Sequence, residues 1–401
     1  MGIAVIRSSK WVGLFLLSLS SICAAADLPA GEVGPGVPAF SVRPGYKVTL
    51  AATGLGQARF LCFGEDANTL FVSQPDRGKI LCLRDPDADG VYKTVTTFVS
   101  NYHLVQSMQW YKGSLWFAQS GAIHVAKYTK NNGIADEVQD IDCGELPEGG
   151  GHWYRSLLVD DDGFFTSIGD DQNLSDHSGD DREKIWHYNL DGSNKKLFCT
   201  GIRNTEKLMY RPGTKEVWGC DHGSDNFGGK YGEHKGEHKA DQPITDLFPP
   251  EKVNHYVQDG FYGHPFIMPF HIPRPEFADR PDILDLAAKM IQPEWNSGAH
   301  WAGCGWCFTN KPTLTGQIGD MIVAYHGSWN SSKRVGYCVQ RIEFDPVTGH
   351  PCGTITLVST LTPDGNRFLA RPVDCVEAPD GSVYFSSDTN GQVYKLAKVA
   401  Q

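Results

Sequence analysis

Apolar and polar positions alternate along this chain in short runs, rarely longer than about eight residues, with Gly, Asp, Asn and Pro between them. A period of two is the signature of strands that show one face to a core and the other to solvent. One unit recurs: a turn containing Gly, Asp or Asn, an alternating aromatic and β-branched strand, a polar turn, then a second strand. It appears at Asn68–Gln74 followed by GKILCL, at Gly113–Gln119 followed by AIHVAKY, and at Asp162–Gly169 followed by KIWHYNLDG. It returns at Thr214–Gly223, at Gly319–Gly327 followed by GYCVQRIEFD, and at Asp380–Asp388 followed by GQVYKL. Most spacings are about 45–65 residues, near one four-stranded propeller blade, and one is roughly doubled by an insertion around 224–318. The expected fold is all-β, a single six-bladed β-propeller over residues 27–401, with a flat sandwich of ordinary hairpins as the competing architecture. A helical period stands out once, at Arg280–Ile291.

The N-terminus departs from this pattern. Arg7 and Lys10 precede the apolar run Trp11–Leu19, and Ala24-Ala25-Ala26 supplies small residues before Asp27. That is the form of a secretory signal over residues 1–26, and its apolar run is too short to span a bilayer comfortably. The mature chain is therefore expected to be periplasmic or secreted, with no membrane span after signal removal. The formal charge of −11 becomes more negative without Arg7 and Lys10, which argues against nucleic acid and anionic membranes as partners. Ten of the 11 cysteines lie beyond the signal. Export permits disulfides, with Cys62 and Cys82, or Cys338 and Cys352, as candidates across adjacent strands. Cys304 and Cys307 form a CxxC that lacks the histidine for haem attachment and has no second pair for zinc, so a disulfide or burial is expected.

Candidate chemistry concentrates in a few segments. In GGGHWYRSLLVDDDGFFTSIGDDQN, glycines free the backbone before His152, and the following strand returns Asp170 toward it, a plausible base and orienter. GIRNTEKLMYRPGTKEVWGCDHGSDN places Arg203 and Asn204 before one blade strand and His222, Gly223 and Ser224 after it. AYHGSWNSSKRVGY carries Lys333 and Arg334, and Arg371 precedes the last repeat. Three arginines at the mouths of different blades in an acidic protein point to an anionic ligand. Two other stretches are weaker. Asp85–Gly90 opens like a calcium loop but has Thr96 where a bidentate Glu would close it, and His234 and His238 sit in a charged stretch expected to be an exposed loop.

Together these segments, with LFPPEKVNHYVQDGFYGHP, AHWAGCGWCF and RPVDCVEAPDGSVYFSSDTNGQVYKL, resemble the soluble quinoprotein glucose and sorbosone dehydrogenases over about 44–396. The HGSWN and YGHP segments are more similar to the sorbosone branch. The resemblance implies a six-bladed propeller carrying pyrroloquinoline quinone with calcium, and oxidation of a sugar or related alcohol or aldehyde. His152 would be the base, Asp170 its orienter, and Arg203 would stabilise charge on the reduced quinone. Asn204, His222, His300, Arg371 and Lys333 or Arg334 would contact the cofactor, and the backbone carbonyls of Gly223 and Ser224 would bind calcium. Three departures stand out. His264 replaces the family's tryptophan in YGWP, Lys252 falls where the family pattern has a glutamate and puts a second calcium in doubt, and His222 replaces an amide. With no haem motif, electrons would leave through an external acceptor such as a cytochrome or quinone. Two other functions share the blade signatures: a non-catalytic carbohydrate- or protein-binding propeller, and a calcium-dependent propeller lactonase.

Overall fold

The alternating runs pair as antiparallel hairpins, and the hairpins assemble into six four-stranded blades in a ring. A computed structural model describes residues 29–227 and 242–399. The segment expected to be a signal (1–26) and both His234 and His238 lie outside the described residues.

Blade 1 comprises Leu61–Phe63, Leu70–Gln74, Lys79–Pro86 and Tyr92–Ser100; blade 2 comprises Met108–Tyr111, Ser114–Gln119, Ala122–Lys127 and Glu137–Ile141. Blade 3 is Leu158–Asp160, Gly163–Ile168, Lys184–Tyr188 and Lys196–Thr200, and blade 4 is Leu208–Tyr210, Val217–Asp221, Lys252–Tyr256 and Trp295–Asn296. Blade 5 is Gly303–Phe308, Met321–Tyr325, Cys338–Phe344 and Pro351–Ser359. Blade 6 takes Pro372–Glu377, Val383–Ser387 and Gln392–Lys398 from the end of the chain and its outer strand, Tyr46–Ala52, from the beginning. Just ahead of that strand, Ser41–Val42 pairs with the outer edge of blade 5, so the N-terminal segment laces two blades together.

Each recurring unit of the sequence is the second and third strand of one blade. Several second strands, Leu70–Gln74, Val217–Asp221, Met321–Tyr325 and Val383–Ser387, are buried along their whole length because they pack both faces on neighbouring blades, so they read as near-continuous apolar runs. Six hydrophobic clusters result, one at each junction: Phe71 and Phe98 meet Phe117 between blades 1 and 2, and Trp218 meets Trp306 and Phe308 between blades 4 and 5. The same arrangement runs through the remaining four junctions. Burial is therefore spread around the ring.

The segment 224–318 contributes to the ring as well as leaving it. Lys252–Tyr256, Trp295–Asn296 and Gly303–Phe308 are blade strands, whereas the excursion between the first two carries a short hairpin and the helix Ile283–Lys289. That helix is shorter than the Arg280–Ile291 pattern because Met290 turns to extended backbone and the Ile291 N–H bonds to the Phe261 carbonyl.

The disulfide candidates are overturned: all ten described cysteines are free, nine of them buried. Cys62 and Cys82 both sit opposite Phe71, on either side of it, and so stand two strands apart. Cys338 faces Ser359 at one end of its strand pair, while Cys352 lies at the other end beside Glu343. The Asp85–Gly90 stretch closes a hairpin in blade 1, where the Asp87 carboxylate accepts from the Asp89 and Val91 N–H groups and pairs with Lys93 at 2.6 Å. No helix among the described residues is long and apolar enough to cross a membrane.

Candidate functional site

The ring gathers side chains at one mouth of its central channel by a simple rule. They come from the residues just before each blade's inner strand or just after its second strand. Arg59, Tyr154, Glu206 and Arg371 occupy the first kind of position, and His222 and His326 the second. Together with His152, Arg203, Asn204, Gly223, Asp225, Glu251, His300 and Cys304 they line a cavity of about 190 Å³, with Trp329 exposed at its rim.

His152 is placed by its backbone. Gly150 adopts φ +85°, and a Cβ there would lie 2.7 Å from that of Asp171. Gly169 admits no side chain either, because a Cβ would meet the Arg203 carbonyl at 2.6 Å and the His152 Cβ at 3.0 Å. The ring Nδ1 of His152 then bonds to the main-chain carbonyl of Asp170 at 2.8 Å, and the Asp170 N–H bonds to the Arg203 carbonyl at 2.9 Å. With Nδ1 donating, Nε2 carries the lone pair. Burial and the Arg203 guanidinium hold this imidazole well below its usual pKa, so it is neutral at ordinary pH.

The Asp170 carboxylate does not reach His152, which corrects the expected orienting contact. It turns the other way, accepting from His264 Nε2 at 2.8 Å and from the Gln172 and Ser175 N–H groups. Burial raises its pKa, but these donors outweigh it and keep the group ionised. His264, the departure noted in the sequence, is thus the partner of this carboxylate, and Glu183 approaches the same ring at 3.4 Å.

Arg203 is fixed by three bonds, to the Asn173 carbonyl (3.0 Å), the Asn173 side chain (2.8 Å) and Asp225 (3.3 Å). Asp225 also faces His300 Nδ1 at 3.3 Å, and His300 Nε2 bonds to the Thr245 carbonyl. Asn204 donates to Glu206 and to His222 Nδ1, at 3.2 and 3.1 Å. That leaves the buried His222 Nε2 without a partner among the described residues. Arg371 is held only by carbonyls, those of His326 and Gly327, over the faces of Tyr337 and Phe368. Its charge is not neutralised by any of these contacts.

One expected cofactor contact falls elsewhere. Arg334 is exposed at the tip of a turn closed by the Ser328 N–H and the Val335 carbonyl, where it bonds to Asn366 and stacks on Phe368. It is not a cavity residue. Ser224, whose expected role is in its main-chain carbonyl, turns its hydroxyl to Arg274. Lys252 bonds to the Tyr262 carbonyl at 3.2 Å and Asp221 at 2.7 Å, so its ammonium supplies the positive charge at that point.

Reading the segments one by one missed Arg59, Glu206, His326 and Asp388. Arg59 is buried and bonds to Gln106 at 3.1 Å and Asp388 at 3.0 Å, and its guanidinium approaches Glu206 at 3.5 Å. His326 Nε2 meets Asp388 at 2.9 Å. The positional rule could have found all four: Arg59 and Glu206 precede inner strands, and His326 and Asp388 follow second strands just as His222 does. Glu206, His222 and Cys304 also bring metal-ligating atoms within 4.8 Å of one another.

A family model described as TrAA12-like matches residues 285–399. A calcium structure of Trichoderma reesei carbohydrate-active enzymes family AA12 superposes with a TM-score of 0.76 at 17% identity, covering 94% of this chain and 100% of that one. The holo form of the pyranose dehydrogenase PQQ domain from Coprinopsis cinerea superposes with a TM-score of 0.73 at 19% identity, covering 91% and 100%. All three share one fold. An uncharacterised protein of Borreliella burgdorferi is 25% identical over 215 residues, 53% of this chain, and this chain spans about half (51%) of that protein's length.

Proposed function

We propose that this chain is an exported dehydrogenase that uses pyrroloquinoline quinone and calcium to oxidise a sugar or a related alcohol or aldehyde, as in the sorbosone branch. One observation carries the reading. Six residues from four separate segments, His152, Arg203, Asn204, His222, His300 and Arg371, line a single cavity. The similar structures support it, one being a PQQ domain and another a calcium structure.

The residues fit both groups. Arg371, which makes no ion pair among the described residues, and the idle His222 Nε2 suit a ligand rich in carboxylates and carbonyls. The Gly223 carbonyl, with Asp225 and Glu251 lining the same cavity, suits a hard cation, and Ser224 would add its main-chain carbonyl. When bound, the quinone supplies an electrophile that accepts hydride. The protein's part is to bind it through Arg371 and His222, to hold Arg203 rigidly against developing negative charge, and to offer His152 Nε2 to a substrate hydroxyl. With no haem motif in the chain, electrons pass to a separate acceptor such as a cytochrome or quinone.

The test is reconstitution of the mature chain with pyrroloquinoline quinone and calcium, then dye reduction against aldoses, sorbosone and simple alcohols. Turnover is expected, with His152→Ala lowering it at least about 100-fold while quinone binding persists. Arg371→Ala should weaken quinone binding itself. Absence of both binding and dye reduction in the wild type would overturn the proposal.

A further inference from the structure

The Asp170 carboxylate, turned away from His152, has company of its own. We propose that Asp170, Glu183 and His264 form a binding site for a divalent transition metal of the zinc class, outside the cavity and distinct from the calcium position. The inference does not depend on the dehydrogenase reading.

The three side chains are buried, at 0%, 4% and 7% exposure, and one ligand atom from each lies within 4.8 Å of the other two. His264 Nε2 stands 2.8 Å from Asp170 Oδ2 and 3.4 Å from Glu183 Oε1. Ligands bound at ~2.1 Å around a tetrahedral ion stand about 3.4 Å apart, so small shifts close this triangle on one ion. Glu183 is the group that calls for it. Its Oε1 has no hydrogen-bond partner among the described residues, since His264 Nε2 carries at most one hydrogen and Asp170 is the nearer acceptor. A buried carboxylate without a donor is costly until a cation meets it.

The cations on either side of Glu183 are aimed elsewhere. Arg182 donates to the carbonyls of Gly169, Glu148 and Gly149, and Lys184 to those of His177 and Arg182. His177 is engaged by Asp171 at 3.0 Å and Asp180 at 2.6 Å. Burial raises the Glu183 pKa, His264 and His177 oppose it, and the Asp170 charge adds to it. Two carboxylates and a neutral imidazole carry two negative charges, the complement of a divalent ion. The imidazole sets its class: calcium and magnesium take oxygen ligands, whereas zinc and its neighbours take imidazole together with carboxylate. His264 would bind as the Nδ1–H tautomer, giving its Nε2 lone pair, and water would complete the tetrahedron. The Gln172 and Ser175 N–H groups orient Asp170 for this. Its carbonyl holds His152, so an ion here braces that imidazole from outside the cavity.

Zinc and cobalt(II) titrations of the untagged mature chain, without quinone or substrate, test the proposal. One equivalent of zinc should bind, raise the thermal unfolding midpoint, and resist displacement by about a 100-fold excess of calcium. Cobalt(II) should show the d–d bands of a four-coordinate ion with no sulfur-to-metal charge-transfer band. X-ray absorption of the zinc form should show a nitrogen and oxygen shell with one imidazole. Glu183→Gln and His264→Gln should each weaken zinc binding at least about 100-fold while still unfolding cooperatively. Absence of stoichiometric binding, displacement by calcium, or undiminished affinity in Glu183→Gln would overturn the proposal. So would a sulfur ligand, which places the ion at Glu206, His222 and Cys304, or two imidazoles, which place it at His234 and His238. Should either variant fail to fold, the wild-type absorption spectrum decides by the same two criteria. Zinc binding is read without turnover, so its failure and that of the dehydrogenase reading are separate results.

Discussion

Asp170 serves two neighbours with two parts of itself, its carbonyl to His152 and its carboxylate to His264. The pairing of His152 with Asp170 is readable from the sequence because one hairpin links them and hairpin geometry is local. Which atom makes the contact is not, since His264 reaches Asp170 from 94 positions away and takes the carboxylate. Arg334 failed for the same kind of reason: its segment reaches the mouth, but the turn from Ser328 to Val335 aims the side chain outward. The buried neutral His152 also ties stability to acidity. Its folded pKa lies below the unfolded value of about 6.5, so its contribution is present above that pH and fades as pH falls toward the folded value. Urea unfolding at pH 7 and pH 4.5 should therefore show His152→Gln losing about 2 kcal/mol less stability than wild type across that interval. Equal losses would contradict the neutral buried state.

At the scale of elements, the second and third strands of every blade announce themselves as recurring apolar runs between turns, whereas the inner strands do not. Leu61–Phe63, Leu158–Asp160 and Leu208–Tyr210 are each three residues long, too short to display a period. The outer strand Tyr46–Ala52 matches no repeat because its partner lies at the other end of the chain. The clusters at the junctions make each blade depend on its neighbours. Phe71 touches Phe98, Trp110 and Tyr128 in the cluster between blades 1 and 2. Phe71→Ala should cost about 3–5 kcal/mol, measured by chemical denaturation, with one cooperative transition retained. A loss below about 1 kcal/mol would mean that this junction carries little of the stability.

For the whole molecule, six repeats in a ring were readable because a recurring spacing survives any loop, whereas the lacing of the seam was not. Blade 6 joins Tyr46–Ala52 to Gln392–Lys398 in antiparallel register, and no other blade is built from both ends. A ring closed this way has an order of events written into it. The strand that finishes the last blade is synthesised early, and its edge toward Gln392–Lys398 must wait, unpaired, while about 340 residues follow it, since residues Gln392–Lys398 emerge last. During that wait it is an open template for pairing with other chains. The seam is accordingly a natural place to divide the protein in two. A peptide of residues 41–52 should bind a chain beginning at residue 53 and restore its cooperative unfolding, read by calorimetry with and without the peptide. If the shortened chain unfolds identically in both cases, the first strand is an ornament of blade 6 and not its clasp.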